Sequence, residues 1–318
     1  MQSATLNNYK AIDLVKFFMA LCVVTIHTNV ASIINTPGLR TLVYTVIHCA
    51  VPFFFMASGY LLAIKILTKS DRGGYFYKLM KIYLEWSLIH FVITSVISRG
   101  LSIDHVLDFL HKFIFVGYAH LWYVWGDILV LPLLLIALKK KVRSEFFLII
   151  AILSNFLMRG ISYYAFHQDF PISDKVLSFV QYFSVKNLCI ATTYLSLGIW
   201  TAQTNIKPWI CYLLIVLGAI LAFAGFDSSG REVAIEVPII AIGLFSVVRD
   251  ANMTIHLPYK WMRSMSTYIY FCHGIIISLI ATVFVMPSYV HWITTLLVTS
   301  ILSSGIIYAK NFKTKICY

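Results

Sequence analysis

The sequence predicts an all-α polytopic membrane protein of about ten transmembrane helices, with both termini in the cytoplasm, and three observations predict it. Of its 318 residues, 60% are hydrophobic and only 12% charged, where soluble domains carry about a quarter charged residues. A chain so short of polar side chains could not cover itself in water. Stretches of ~20 mostly apolar residues, enough to cross a bilayer core as helix, recur along the whole length. Lysine and arginine are divided unequally between the loops on the two sides, which sets orientation.

The spans are predicted over 11–34, 42–67, 82–98, 120–138, 146–166, 188–203, 208–226, 234–249, 267–286 and 290–309. The first is too long for a cleavable signal and no small-residue cleavage site follows it, so a retained helix is expected. The second contains Pro52, which interrupts the helix ladder, and Ser58-Gly59, where lost bulk lets another backbone approach. Lys78, Lys81 and Glu85 stand at the entry of the third, the last two at i,i+4 spacing. Between the third and fourth, 101–118 is amphipathic and expected to lie along the interface. The sixth and eighth are short. With an even number of spans, 17 of the 25 basic residues fall on the cytoplasmic side and 7 on the other, with Lys16 inside the first span. One membrane domain, residues 1–318, accounts for the chain, with no internal repeat and no room for a fused soluble domain.

The net charge of +12 does not point to nucleic acid. The densest run, Lys139-Lys140-Lys141-Val142-Arg143, sits between apolar stretches as a membrane anchor does. Six scattered cysteines with no C-x-x-C pair suggest small buried side chains and no metal.

Ionisable residues inside spans are costly in lipid and mark pathways or sites. The first span holds Asp13, Lys16 and His27. Lys16 and His27 differ by about 20° around a helix and about 16 Å along it, so both look toward one interior face. Asp13 is placed to neutralise Lys16, and at ~21 Å is too far to orient His27. The plainer reading of His27 is a histidine bonded to a neighbouring helix.

In the order Asp13-Leu14-Val15-Lys16, His27, Val51-Pro52-Phe53-Phe54-Phe55-Met56-Ala57-Ser58-Gly59-Tyr60, His120-Leu121-Trp122-Tyr123, Lys186-Asn187 to Leu197-Gly198 and Ser266-Thr267-Tyr268-Ile269-Tyr270-Phe271-Cys272-His273, the chain resembles the acyltransferase 3 family of membrane acyltransferases. The resemblance covers essentially the whole length and implies a catalytic role for His27. Where the family favours arginine this chain has Lys16, Lys78 and Lys81, which keep positive charge but lose bidentate phosphate geometry. It further implies acyl-coenzyme A, in the first instance acetyl-coenzyme A, as cytoplasmic donor, its phosphates held by those lysines as point charges. A hydroxyl of a cell-surface glycan or of its lipid-linked precursor would be the acceptor. His27 would either deprotonate it or carry the acyl group transiently. The family's fused esterase-like and racemase extensions are not expected here.

Four further residues are candidates for substrate contact, each beside a plainer reading. Trp122 is otherwise an interfacial aromatic anchor, Ser58 a helix-packing residue, and Glu232 the local partner of Arg231. His273, expected in the inner half of the ninth span, is otherwise simply packed. Arg231, Glu232 and Glu236 could bind a sugar or orient His27. A bacterial inner-membrane O-acetyltransferase is the leading expectation, free to form oligomers. A proton-coupled transporter or exporter is the alternative, because buried Lys, His and Glu also suit a carrier; a sensor or scaffold with a degenerate site is the third.

Overall fold

A computed structural model describes residues 9–68, 74–97, 100, 102–166, 174–226, 232 and 234–316. Arg231, with its expected pairing to Glu232, lies outside the described residues, as do Lys69, Arg72, Arg99 and Cys317. The described residues form thirteen α-helices and no strand. In chain order these are α1 (Lys10–His27), α2 (Pro37–His48), α3 (Ala50–Leu67), α4 (Tyr75–Ile97), α5 (Ile103–His111), α6 (Trp122–Lys139) and α7 (Ser144–Phe166). They continue as α8 (Asp174–Tyr182), α9 (Val185–Gln203), α10 (Pro208–Phe223), α11 (Glu236–Asp250), α12 (Tyr259–Val283) and α13 (Ser288–Ile316).

Six segments are long and apolar enough to cross a membrane: Pro37–Leu67, Tyr75–Ile97, Ile103–Lys139, Ser144–Ser162, Tyr259–Val283 and Ser288–Lys310. Pro208–Phe223 is a shorter apolar helix. Outward faces are oily, as Leu84, Leu88, Val92 and Val96 show along α4 at every fourth residue. Contiguous exposed apolar surface of this kind belongs against lipid, and the chain is a multi-pass membrane protein.

The interior is organised around α3 and α9, whose residues are buried through most of their length. Two glycines set their separation. A Cβ on Gly59 would lie 2.4 Å from the Leu195 carbonyl oxygen, and one on Gly198 would lie 2.3 Å from that of Met56. Small residues at such a crossing let helix backbones touch, as expected of Ser58-Gly59.

Two helix ends differ from expectation in ways that shape the site. The first helix stops at His27, where Asn29 adopts φ 52°, and a 3-10 turn over Val30–Ile33 follows. Asparagine tolerates that left-handed conformation better than other non-glycine residues. The expected span 42–67 is broken at Cys49 into α2 and α3. Pro52, third residue of α3, has no N–H to give and its ring crowds the carbonyl four residues back, so the helix cannot run through. Both breaks leave a histidine, His27 or His48, at a helix C-terminus.

Candidate active site

A polar cavity of about 650 Å³ opens where α1, α2, α3, α6 and α9 approach the 3-10 turn and Glu232. His27 lines it from the last position of α1 and is exposed to it. Trp122, first residue of α6, forms part of the wall and packs on Phe55 with ring centroids 5.9 Å apart. Glu232, His48, Lys186 and Asn187 complete the polar lining. His27, Trp122 and Glu232 were thus legible as separate candidates, and the fold brings them to one space.

Glu232 is bonded to α2 and α9. Its Oε1 lies 3.1 Å from Nδ1 of His48, and its carbonyl accepts from the Tyr194 hydroxyl at 2.8 Å. Burial works to raise its carboxyl, but the hydrogen bond and charge of His48, with Lys186 behind, hold it below the usual carboxylate range. This arrangement fixes Glu232 as an anionic acceptor at the cavity rim. Glu236, also suggested for this role, is buried at the start of α11.

Behind His27 lies a file of imidazoles. Ring centroids are 5.1 Å apart for His27 and His273, 4.4 Å for His273 and His120, and 4.7 Å for His120 and His90. Helix α12 holds them in place. The Tyr270 hydroxyl donates to the His120 carbonyl, and the Phe271 carbonyl lies 3.3 Å from Nε2 of His90. Gly274 makes the room: a Cβ there would stand 2.3 Å from Nδ1 of His120. His273 does not line the cavity, and it does not lie in the first half of its helix, because α12 begins at Tyr259 rather than at 267.

The other end of α1 is different. Asp13 serves two partners: both its carboxylate oxygens accept from Arg263 of α12, the Nε bond being 2.8 Å, while its charge also acts on Lys16 as expected. Lys16 is partly buried, its Nζ 5.6 Å from the Phe54 ring centre, within reach of the charges of Asp13 and then Asp127. Asp127 Oδ2 accepts from Ser58 Oγ at 3.0 Å, and Ser58 Oγ is 2.8 Å from the Tyr123 hydroxyl. Ser58 therefore bonds Asp127 and Tyr123 and does not line the cavity. Lys78 and Lys81 are exposed on α4, and Lys81 pairs with Glu85 at 3.8 Å. Among the described residues no contact joins these two lysines to Lys16. A second cavity, about 410 Å³, opens at this end between Tyr9, Lys10, Asp13, Tyr259, Lys260 and Arg263.

Sequence reasoning passed over His48, Asp127 and His90, and met His120 only as part of a motif. Asp127 had a usable signal, being a carboxylate inside the span 120–138. His48 and His90 had none beyond being histidines in apolar surroundings. No group of three or more His, Cys, Asp or Glu among the described residues is arranged to hold a metal.

A bundle of apolar helices around a polar cavity, with an exposed histidine on one wall, defines a membrane protein equipped for proton or group transfer. The family model described as an acyltransferase domain matches residues 9–309, and the chain belongs to that acyltransferase 3 family. Two curated relatives from Enterococcus faecalis, each called an amino-acid racemase, are 29% identical to it. One match covers 215 residues, 62% of this chain and 29% of the relative; the other covers 159 residues, 49% and 22%. The chain thus matches less than a third of the length of these relatives. No solved structure gives a significant match.

Proposed function

We propose that the chain is a membrane O-acetyltransferase that moves an acetyl group from cytoplasmic acetyl-coenzyme A to a hydroxyl of a cell-surface glycan or its lipid-linked precursor. The observation that carries this reading is the cavity itself, where His27 shares one wall system with Trp122, Glu232, Lys186 and Asn187. An aromatic face beside carboxylate, amide and ammonium groups suits a polyhydroxylated acceptor. His27 then acts as general base toward the acceptor hydroxyl, or carries the acyl group between donor and acceptor.

In this reading the chain is a single domain that spans a bacterial inner membrane ten times, with both termini cytoplasmic and the His27 cavity toward the outer side. The donor approaches from the opposite end of α1, where the cavity beside Lys10, Lys260 and Arg263 would meet its phosphates. Lys16 supplies interior positive charge on the way to His27, while Lys78 and Lys81 act as surface charges that attract the polyanion. Family membership supports acyl transfer and leaves the donor and acceptor to this proposal. The racemase activity named for the two relatives is not assigned to this chain, since the match covers less than a third of either.

The test is transfer of label from radiolabelled acetyl-coenzyme A to cell-envelope glycan, in membranes containing wild type or His27→Ala at equal protein level. Label that depends on His27 supports the reading, and equal labelling from both removes His27 from the mechanism. Lys16 and Asp127 inside the helix bundle and the file of histidines favour a second reading, a proton-coupled transporter. Absence of label from either protein, with substrate movement only under a proton gradient, would bring that reading forward.

A further inference from the structure

His273 is wholly buried in α12, and its surroundings fix which nitrogen holds its hydrogen. Nδ1 lies 2.6 Å from the Tyr270 carbonyl oxygen and 3.2 Å from that of Ile269. Carbonyl oxygens only accept, so Nδ1 carries the hydrogen and the neutral ring presents a lone pair at Nε2. That Nε2 is buried and has no hydrogen-bond partner. A bare acceptor in such a place is costly and asks for a proton or an N–H. The titratable side chains facing it are His27 from α1, His120 from the turn before α6 and, one ring further, His90 from α4, with the Tyr270 phenol ring beside it. The His27 ring centre is 5.1 Å from that of His273, and a turn of the His27 ring would bring one of its nitrogens within hydrogen-bond reach of the bare Nε2.

We propose that His273 is the positioning residue for His27: its Nε2 accepts the inner N–H of the His27 imidazole and takes that proton when His27 is charged at its cavity-facing nitrogen. The inference rests on the acyl-transfer reading of the cavity. As the acceptor oxygen bonds to the acyl carbon, the carbon–sulfur bond of the thioester breaks and its electron pair leaves on sulfur. The hydroxyl proton moves to the outer nitrogen of His27, and the inner proton of His27 moves to Nε2 of His273. The resulting imidazolium keeps its Nδ1–H on the two carbonyls of α12, and the pair later returns one proton to the thiolate or to water. The role is the one a carboxylate plays behind other catalytic histidines. Here a second imidazole stands behind the histidine, while Asp13 is bonded to Arg263 and Glu232 to His48.

Full-length protein in detergent micelles, labelled with 15N at histidine rings, reads the arrangement without donor or acceptor. The His27 nitrogens, identified by their loss in His27→Ala, should report one tautomer in the wild type. His273→Gln, whose amide oxygen can still accept, should keep that tautomer, and His273→Phe should give a mixture. The wild-type tautomer persisting in His273→Phe would overturn the hydrogen bond. In the transfer assay, His273→Gln should lower kcat roughly 100-fold, the scale of general acid–base contributions, with KM unchanged; an unaltered kcat would overturn the proton transfer. Absence of acyl transfer from every variant, wild type included, would count against the enzyme reading while the tautomer result stands by itself.

Discussion

The two ends of α1 carry similar residue types and use them oppositely. At the Lys16 end the ionisable groups are paired: Asp13 with an exposed Arg263, Lys16 within the field of Asp13 and Asp127, and Asp127 bonded through Ser58 to Tyr123. At the His27 end, polar groups surround open space, and the His48–Glu232 pair stands at its rim. Neutralised charge inside a bundle serves helix association, whereas polar groups left around a cavity are available to a ligand. The difference sets paired ionisable groups beside the smaller cavity against the polar lining of the larger one.

Substitutions at the two ends should therefore part activity from stability. The largest effect is expected for His27→Gln, which should reduce acetyl transfer by ~10²–10⁴-fold, the range for loss of a general base, without lowering the thermal midpoint in detergent. A matching fall in midpoint would mean that His27 is structural. Next is Glu232→Ala, which leaves His48 buried without its partner and should destabilise by about 3–5 kcal/mol, as loss of one member of a buried pair does. Thermal unfolding followed by intrinsic fluorescence measures it. Gly274→Ala should cost about 1–3 kcal/mol through overpacking against His120, and should lower activity more than a neutral packing change because it shifts the imidazole file. Lys81→Ala should be the mildest, within about 0.5 kcal/mol, because its pair with Glu85 is exposed. A large rise in the KM for acetyl-coenzyme A in that variant would break the contrast and give Lys81 a specific donor contact.

The helices were largely legible because apolar runs report membrane burial directly. Their ends near the site were less so, since hydropathy is blind to the chemistry that stops a helix. The runs 11–34 and 42–67 look continuous until Asn29 and Pro52 are given their backbone consequences. Site residues divided along the same line. His27, Trp122 and Glu232 could be suspected singly, but their convergence depends on three chain segments meeting. Partners were the hardest part. The spacing along one helix led to Asp13 acting on Lys16, but not to its second partner, a guanidinium fork 250 positions away. Lys78 and Lys81 resembled a phosphate site in sequence order, and only the fold shows that their helix turns them to its exposed side.

The contact between Gly59 and Leu195, repeated by Gly198 against Met56, bears on what the cavity can admit. Val51 on α3 and Lys186, Asn187 and Ile190 on α9 are opposing walls of that cavity. With the two backbones touching a few turns away, these walls act as the jaws of a calliper locked at its hinge. The gauge is set by main chain, which cannot step aside as a long side chain would. A guest is then sorted by girth before any hydrogen bond is tried, and enlarging either glycine would open the jaws rather than close them.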